Sequence, residues 1–171
     1  MNETMQTILT RRSTRKFQNK PIPEADLDQI IQAALHAPSG MGKQTWQFTV
    51  VKNRDKIQRL AAVIARVLGR EGYDMYAPEV LIIPSNDKES RFGKEDNACA
   101  LENIFLAAHS LGIGSVWINQ LQNICDDAEI RRELTALGIP ENHIVYGMAA
   151  LGYPDDVKAE KARIGRVVVV E

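Results

Sequence analysis

The stretch "ACALENIFLAAHSLGIGSVWINQ", residues 98–120, carries two periods in succession. Ala98, Leu101, Ile104, Phe105, Ala108 and Leu111 recur at three- and four-residue spacing, the apolar stripe of a long helix, and Gly112 stands where such a helix stops. "GSVWI", 114–118, then reads as a strand. The long helix is expected to be the central one.

The same reading extends outward in both directions. Asn2 caps a first helix with Met5, Ile8 and Leu9 on one face, which ends near the arginines of "RRSTRKF", 11–17. In "PIPEADLDQIIQAALHAP", 21–38, Pro23 opens a helix, Leu27, Ile30, Ile31 and Ala34 share a face, and Pro38 closes it. Residues 46–51 alternate as a strand, and Asn53 caps a helix that Gly69 stops. "EVLIIPSN", 79–86, is a short buried strand. "DDAEIRRELTALG", 126–138, is a helix with acidic residues at its positive end, "HIVYGMAALG", 143–152, a strand, and "GRVVVVE", 165–171, strand-like. Interleaved helices and strands predict an α/β or α+β class with helices on a central sheet.

Composition narrows the functions. The chain has 171 residues, 44% hydrophobic and 25% charged, and a net charge of −1. That is the make-up of one globular domain, 1–171, able to bury roughly 70% of its unfolded surface. A neutral balance supplies no field for nucleic acid or an anionic membrane. No apolar run spans a bilayer and "MNETMQTILTRR" lacks the order of a signal peptide, so a cytoplasmic protein is expected. Cys99 and Cys125 stand apart without a C-x-x-C and are expected as small buried thiols. Trp46 is expected in the core, while Trp117 fits a core or a site position equally.

Two phosphate motifs fail on spacing. "APSGMGKQT", 37–45, puts Ala37 and Gln44 where a P-loop needs Gly and Ser or Thr, and "GIGSVW", 112–117, puts Trp117 at the third glycine of a G-x-G-x-x-G. His36, His109 and His143 lack metal spacing, and no G-x-S-x-G is present. What remains is the cluster Arg11, Arg12, Ser13, Arg15. Two readings fit it: arginines offsetting the carboxyl-end dipole of the first helix, or guanidinium forks and a hydroxyl for a phosphate monoester. A second basic cluster, "EKARIGR", 160–166, would complete an anion site if the two ends meet.

Four pieces in order, "RRSTR", "PSGMGKQTWQF", "GIGSVWINQ" and "KAR", make the chain resemble the nitroreductase family of FMN-dependent oxidoreductases along nearly its whole length. The resemblance implies a nitroreductase-like α+β fold, a central mixed β-sheet flanked by helices, with FMN at a homodimer interface. It implies Arg11 and Ser13 at the phosphate or ribityl chain, Arg12 among the cofactor-binding residues, and Arg15 at the pyrimidine edge of the flavin, where a cation favours the reduced ring. Pro38, Ser39, Gly40 and Gln44 match the segment laid against the partner's flavin. Lys161 and Arg163 match a terminal phosphate clamp, and Asn119 and Gln120 the strand end whose backbone N–H faces flavin N5. Gly42 and Thr45 replace a usual Asn and Pro, so one flavin hydrogen bond is either missing or supplied by Lys43. The short link before the long helix implies an open flavin face. The activity implied is ping-pong transfer from NAD(P)H to a nitroaromatic, quinone or similar small acceptor. Two further readings stay open: a specialised reductase of halogenated phenols or enones, and a flavin store or sensor.

Overall fold

A strand turns successive side chains to opposite faces, so the run Val80, Leu81, Ile82, Ile83 requires both faces of its sheet to be covered. The computed structural model, which describes residues 1–156 and 162–171, shows how this is met. Val80 and Ile82 of β2 (Val80–Asp87) point into a core with α2 (Glu24–Leu35) and α4 (Gly93–Ser110). Leu81 and Ile83 point into a second core with α3 (Arg54–Leu68) and α5 (Ala128–Ala136). The sheet runs β1 (Trp46–Val51), β2, β5 (Met148–Gly152), β3 (Gly114–Ile118), and β4 (His143–Ile144) pairs with the far end of β2. This is the expected α+β class. Every ladder is antiparallel, and the parallel element of the expected mixed sheet is confined, among the described residues, to a bridge between Ser13 and Ser115.

Helix ends follow the side chains that cap them. Asn2 accepts from the Met5 N–H at the start of α1 (Glu3–Thr10), Asn53 from that of Lys56 in α3, and Asp127 from Glu129 and Ile130 in α5. Gly69 takes φ 62°, the left-handed stop that glycine adopts without strain. Among the described residues no helix is long and apolar enough to cross a membrane.

Four expectations change. The single strand over 143–152 is two strands joined by a bulge, because the four steps from Ile82 to Asn86 oppose five from Ile144 to Ala149. Val145, inside the bulge, donates its N–H to Cys125 Sγ at 3.2 Å, and the thiol donates to the Val145 carbonyl at 3.6 Å. Burial pushes the Cys125 thiol up, so it keeps the proton it donates. Cys99, by contrast, is only half-buried. The tail 162–171 is neither helix nor strand. Its valines find no strand partner among the described residues and are exposed, as are Met5, Ile8 and Leu9 of α1. Trp46 is half-buried outside both cores, tilted against Phe48 at 5.5 Å, and Trp117 is exposed, tilted against Phe105 at 6.0 Å.

Gly114 is a point of close approach in this frame. A Cβ there would lie 2.6 Å from Thr14 Oγ1 and 2.8 Å from Thr14 Cβ. Gly114→Ala is expected to lower the unfolding free energy by about 1–3 kcal/mol through overpacking, read as a reduced urea midpoint at unchanged slope. An unaltered midpoint would mean that residues 13–15 are free to move off β3.

Candidate functional site

On leaving α1 the chain runs extended over the start of β3. The Thr14 N–H donates to the Ser115 carbonyl at 2.9 Å, and the Thr14 side chain is buried over Gly114. In extended chain alternate residues share a side. Thr10, Arg12 and Thr14 line one cavity of about 270 Å³ together with His109 and Pro154. Arg11, Ser13 and Arg15 are therefore left to the other side. The cluster that looks continuous in sequence is divided, with Arg12 apart from the other three. Arg11 lies 5.9 Å from the Phe105 ring centroid and 3.8 Å from Glu102, both on α4, and Arg15 lies 5.9 Å from the ring of Tyr76.

Behind the cluster, His109 stands 2.8 Å from Thr10 Oγ1, whose hydroxyl donates to the Gln6 carbonyl at 2.7 Å. A hydroxyl has one hydrogen, so the imidazole donates here through Nε2–H. Burial first, and then the Arg11 charge, hold His109 below the usual histidine range.

Residues 38–44 form a loop tied to the first turn of α4 by one carboxylate. Asp96, buried, accepts from Ser39 Oγ at 2.9 Å through Oδ2 and from the Gly40 N–H at 2.8 Å through Oδ1. Ser39 Oγ in turn accepts from the Gln44 N–H at 2.9 Å. The Ser39 hydroxyl thus has its hydrogen committed to Asp96. Gly40 is required because a Cβ there would meet the Phe92 ring at 2.4 Å. Met41, Gly42 and Gln44 all have positive φ, which turns the loop outward, and Met41 is 80% exposed. Lys43 lines a separate hollow with Met41, Arg91 and Phe92.

The other sequence-predicted positions are distributed as follows. Asn119 begins a 3-10 turn, Gln120–Asn123, at the end of β3, and the first N–H groups of such a turn have no acceptor within it. Gln120 Oε1 is buried without a hydrogen-bond partner among the described residues. Arg163 stands on the exposed tail, and Lys161 lies outside the described residues. Helix α4 separates the loop from the arginines: Asp96, which holds the 38–44 loop, and Phe105, beside Arg11, are nine residues apart, about 13 Å along the axis and on opposite faces of the helix. One subunit does not bring the loop and the arginines together.

Three participants escaped sequence reasoning. Asp96 lies in the polar run "GKEDN", which reads as a solvated first turn, and nothing local signals its burial. Tyr76 sits in an unpatterned link. Cys125 serves the bulge beside Asn119, the residue after the Ile118–Met148 pair.

Asp96→Ala strands the Ser39 hydroxyl and the Gly40 N–H, and hydrogen bonds to a charged group contribute about 1.5–3 kcal/mol each. A stability loss of about 3 kcal/mol is expected by urea denaturation, with faster proteolysis near Met41; an intact loop in the variant would show that its backbone turns suffice. For His109 the sign follows from its lowered folded-state pKa. The unfolded chain, with the ordinary value of about 6.5, binds more protons, so stability is complete above about pH 6.5 and declines as pH falls toward the folded value. His109→Gln is expected to flatten that decline in urea titrations between about pH 7.5 and 5.5; identical slopes in wild type and variant would contradict it.

Residues 8–77 and 70–153 match the Nitroreductase family. The chain is 34% identical to the NADPH-flavin oxidoreductase of Vibrio harveyi, covering 99% of this chain and 73% of that protein. It superposes on a nitroreductase with bound FMN from Bacteroides fragilis with a TM-score of 0.91 and 44% identity, each chain covered completely. It also superposes on a nitroreductase with bound FMN from Desulfitobacterium hafniense, with a TM-score of 0.89 and 28% identity, again over the full length of both. Together with the antiparallel sheet, the extended arginine segment over β3 and the loop pinned to α4, these likenesses place the chain in the nitroreductase family.

Proposed function

We propose that this protein is an FMN-dependent NAD(P)H oxidoreductase acting as a homodimer. The observation that carries the reading is the alternation that puts Arg11, Ser13 and Arg15 on one side of the segment crossing β3. The donor set fits the cofactor. Arg11 and Ser13 offer a guanidinium fork and a hydroxyl to a phosphate or ribityl chain, and Arg15 offers charge to the pyrimidine edge. The buried Gln120 Oε1, which lacks a donor among the described residues, matches a ligand that carries N–H and O–H groups. Backbone N–H groups at the start of the turn after β3 remain for the ring.

Bound FMN supplies hydride and electron transfer between a nicotinamide and an acceptor. The chain's own residues bind, orient and set the local field. Arg15 places positive charge where the reduced ring accumulates negative charge. Only five residues, 88–92, link β2 to α4, so no helix from that link covers the site. An open face suits the alternate use of one pocket by NAD(P)H and by a nitroaromatic or quinone, a ping-pong sequence.

Three features support the dimer. The 38–44 loop and the arginines lie on opposite faces of α4. The apolar face of α1 is left to water, and so are Ile164 and Val167–Val170 of the tail. A partner's loop then completes each site, and Arg163 together with Lys161 contributes to the phosphate clamp.

Purified protein is expected to be yellow, to release FMN on denaturation and to elute as a dimer. Arg11→Ala with Arg163→Ala should weaken FMN binding by about 100-fold or more, since each lost charged hydrogen bond is worth about 1.5–3 kcal/mol. Anaerobic stopped-flow mixing with NADH and with NADPH should bleach the bound flavin faster than free FMN, and a quinone or nitroaromatic should restore the colour. Protein that stays colourless with excess FMN overturns the cofactor reading. Flavin bound but reduced no faster than free FMN makes the chain a flavin store or sensor.

A further inference from the structure

Between α3 and β2 the chain makes a turn that its residue types do not favour. Met75, Tyr76 and Ala77 have φ of 54°, 67° and 43°, three consecutive non-glycine residues in the left-handed region, where an L side chain crowds the following carbonyl. Asp74 holds the turn from both ends: Oδ1 accepts from the Tyr76 N–H at 2.8 Å, and its carbonyl accepts from the Ala77 N–H at 3.0 Å. Met75 anchors it, fully buried in the core under α3 and α5. Strained backbone of this kind persists where the surroundings over-determine it, and it gathers at functional sites.

Core packing accounts for Met75 and leaves Tyr76 unexplained. The Tyr76 ring is 37% exposed, and what the turn achieves is to set it beside the Arg15 guanidinium, 5.9 Å from the ring centroid. Among the described residues Arg15 has no carboxylate within ion-pair distance. Its exposed side chain has this ring as its neighbour. A planar guanidinium over an aromatic face is attracted by the ring's quadrupole and loses rotamer freedom before any ligand arrives.

We propose that Tyr76 is a positioning residue whose ring is the platform that holds the Arg15 guanidinium at the flavin's pyrimidine edge, so that the strained turn sets how readily the bound cofactor is reduced. This rests on the role of Arg15 proposed above. Tyr76 needs no contact with the flavin for it, and its hydroxyl is dispensable.

The test is an equilibrium redox titration of the full-length, FMN-loaded protein against a dye, on wild type, Arg15→Leu, Tyr76→Gly, Tyr76→Phe and the double variant Arg15→Leu/Tyr76→Gly. Arg15→Leu is expected to disfavour reduction about tenfold, which is about 30 mV for a two-electron couple. Tyr76→Gly should shift the same way by about threefold, which is about 15 mV. Tyr76→Phe should match wild type, and the double variant should be no lower than Arg15→Leu alone, because the ring acts through the arginine. Glycine also relieves the positive φ, so Tyr76→Gly should unfold at the wild-type temperature or higher. Loss of potential without loss of stability separates positioning from a structural role. A wild-type potential in Tyr76→Gly, an additive double variant, or Tyr76→Phe as low as Tyr76→Gly overturns the platform while leaving the role of Arg15 in place, provided Arg15→Leu is itself shifted. An unshifted Arg15→Leu overturns both.

Discussion

Helix α4 buries Ala100, Leu101, Ile104 and Ala108 by lying between α2 and the strands β2, β3 and β5, and the groups around it are positioned by that constraint. Small residues on its inner face let the helix approach the strands closely. Once it is seated, its first turn presents Asp96 to the loop 38–44, and its middle presents Glu102 and Phe105 to Arg11. Its end presents His109 to Thr10. The helix is thus both core and scaffold. Because its two attachments are half a turn apart in phase, it also keeps the loop 38–44 and the arginines on opposite faces.

The local irregularities share a logic. The bulge at Val145, the loop at Met41–Gln44 and the left-handed turn at Met75–Ala77 each break a regular pattern, and each is stabilised by a buried side-chain group. For the bulge it is the Cys125 thiol, for the loop the Asp96 carboxylate, for the turn the buried Met75 together with the Asp74 cap. The bulge and the loop are anchored from far along the chain, the turn by the residues beside it. Rigid anchoring lets an exposed group such as Tyr76 or Met41 hold a defined place without being packed itself.

Much of the fold was legible because short-range rules govern it. The limits of β1 and α3 follow from alternation and from Asn53 and Gly69, residues that act within one turn of themselves. The two-sided burial of β2 follows from four apolar residues in a row. Where legibility failed, the determinant lay far along the chain. Trp46 has the residue type of a core position, yet its strand lies at the sheet edge, where one side is open. The strand over 143–152 looks continuous because its bulge is imposed by a cysteine twenty residues earlier.

For the site the division is similar. By itself the sequence determined which groups are present and in what order: the arginines after α1, the glycine-rich loop before β1, the strand end at Asn119, and with them the family. Those are properties of composition and spacing, which survive in one dimension. Only the tertiary structure decided which of the groups share a face. It split Arg12 from Arg11, Ser13 and Arg15, committed the Ser39 hydroxyl to Asp96, and brought Tyr76 to Arg15 across 61 positions of chain. Facing is set by burial and by crossing elements, and neither exists until helices and strands have packed against one another.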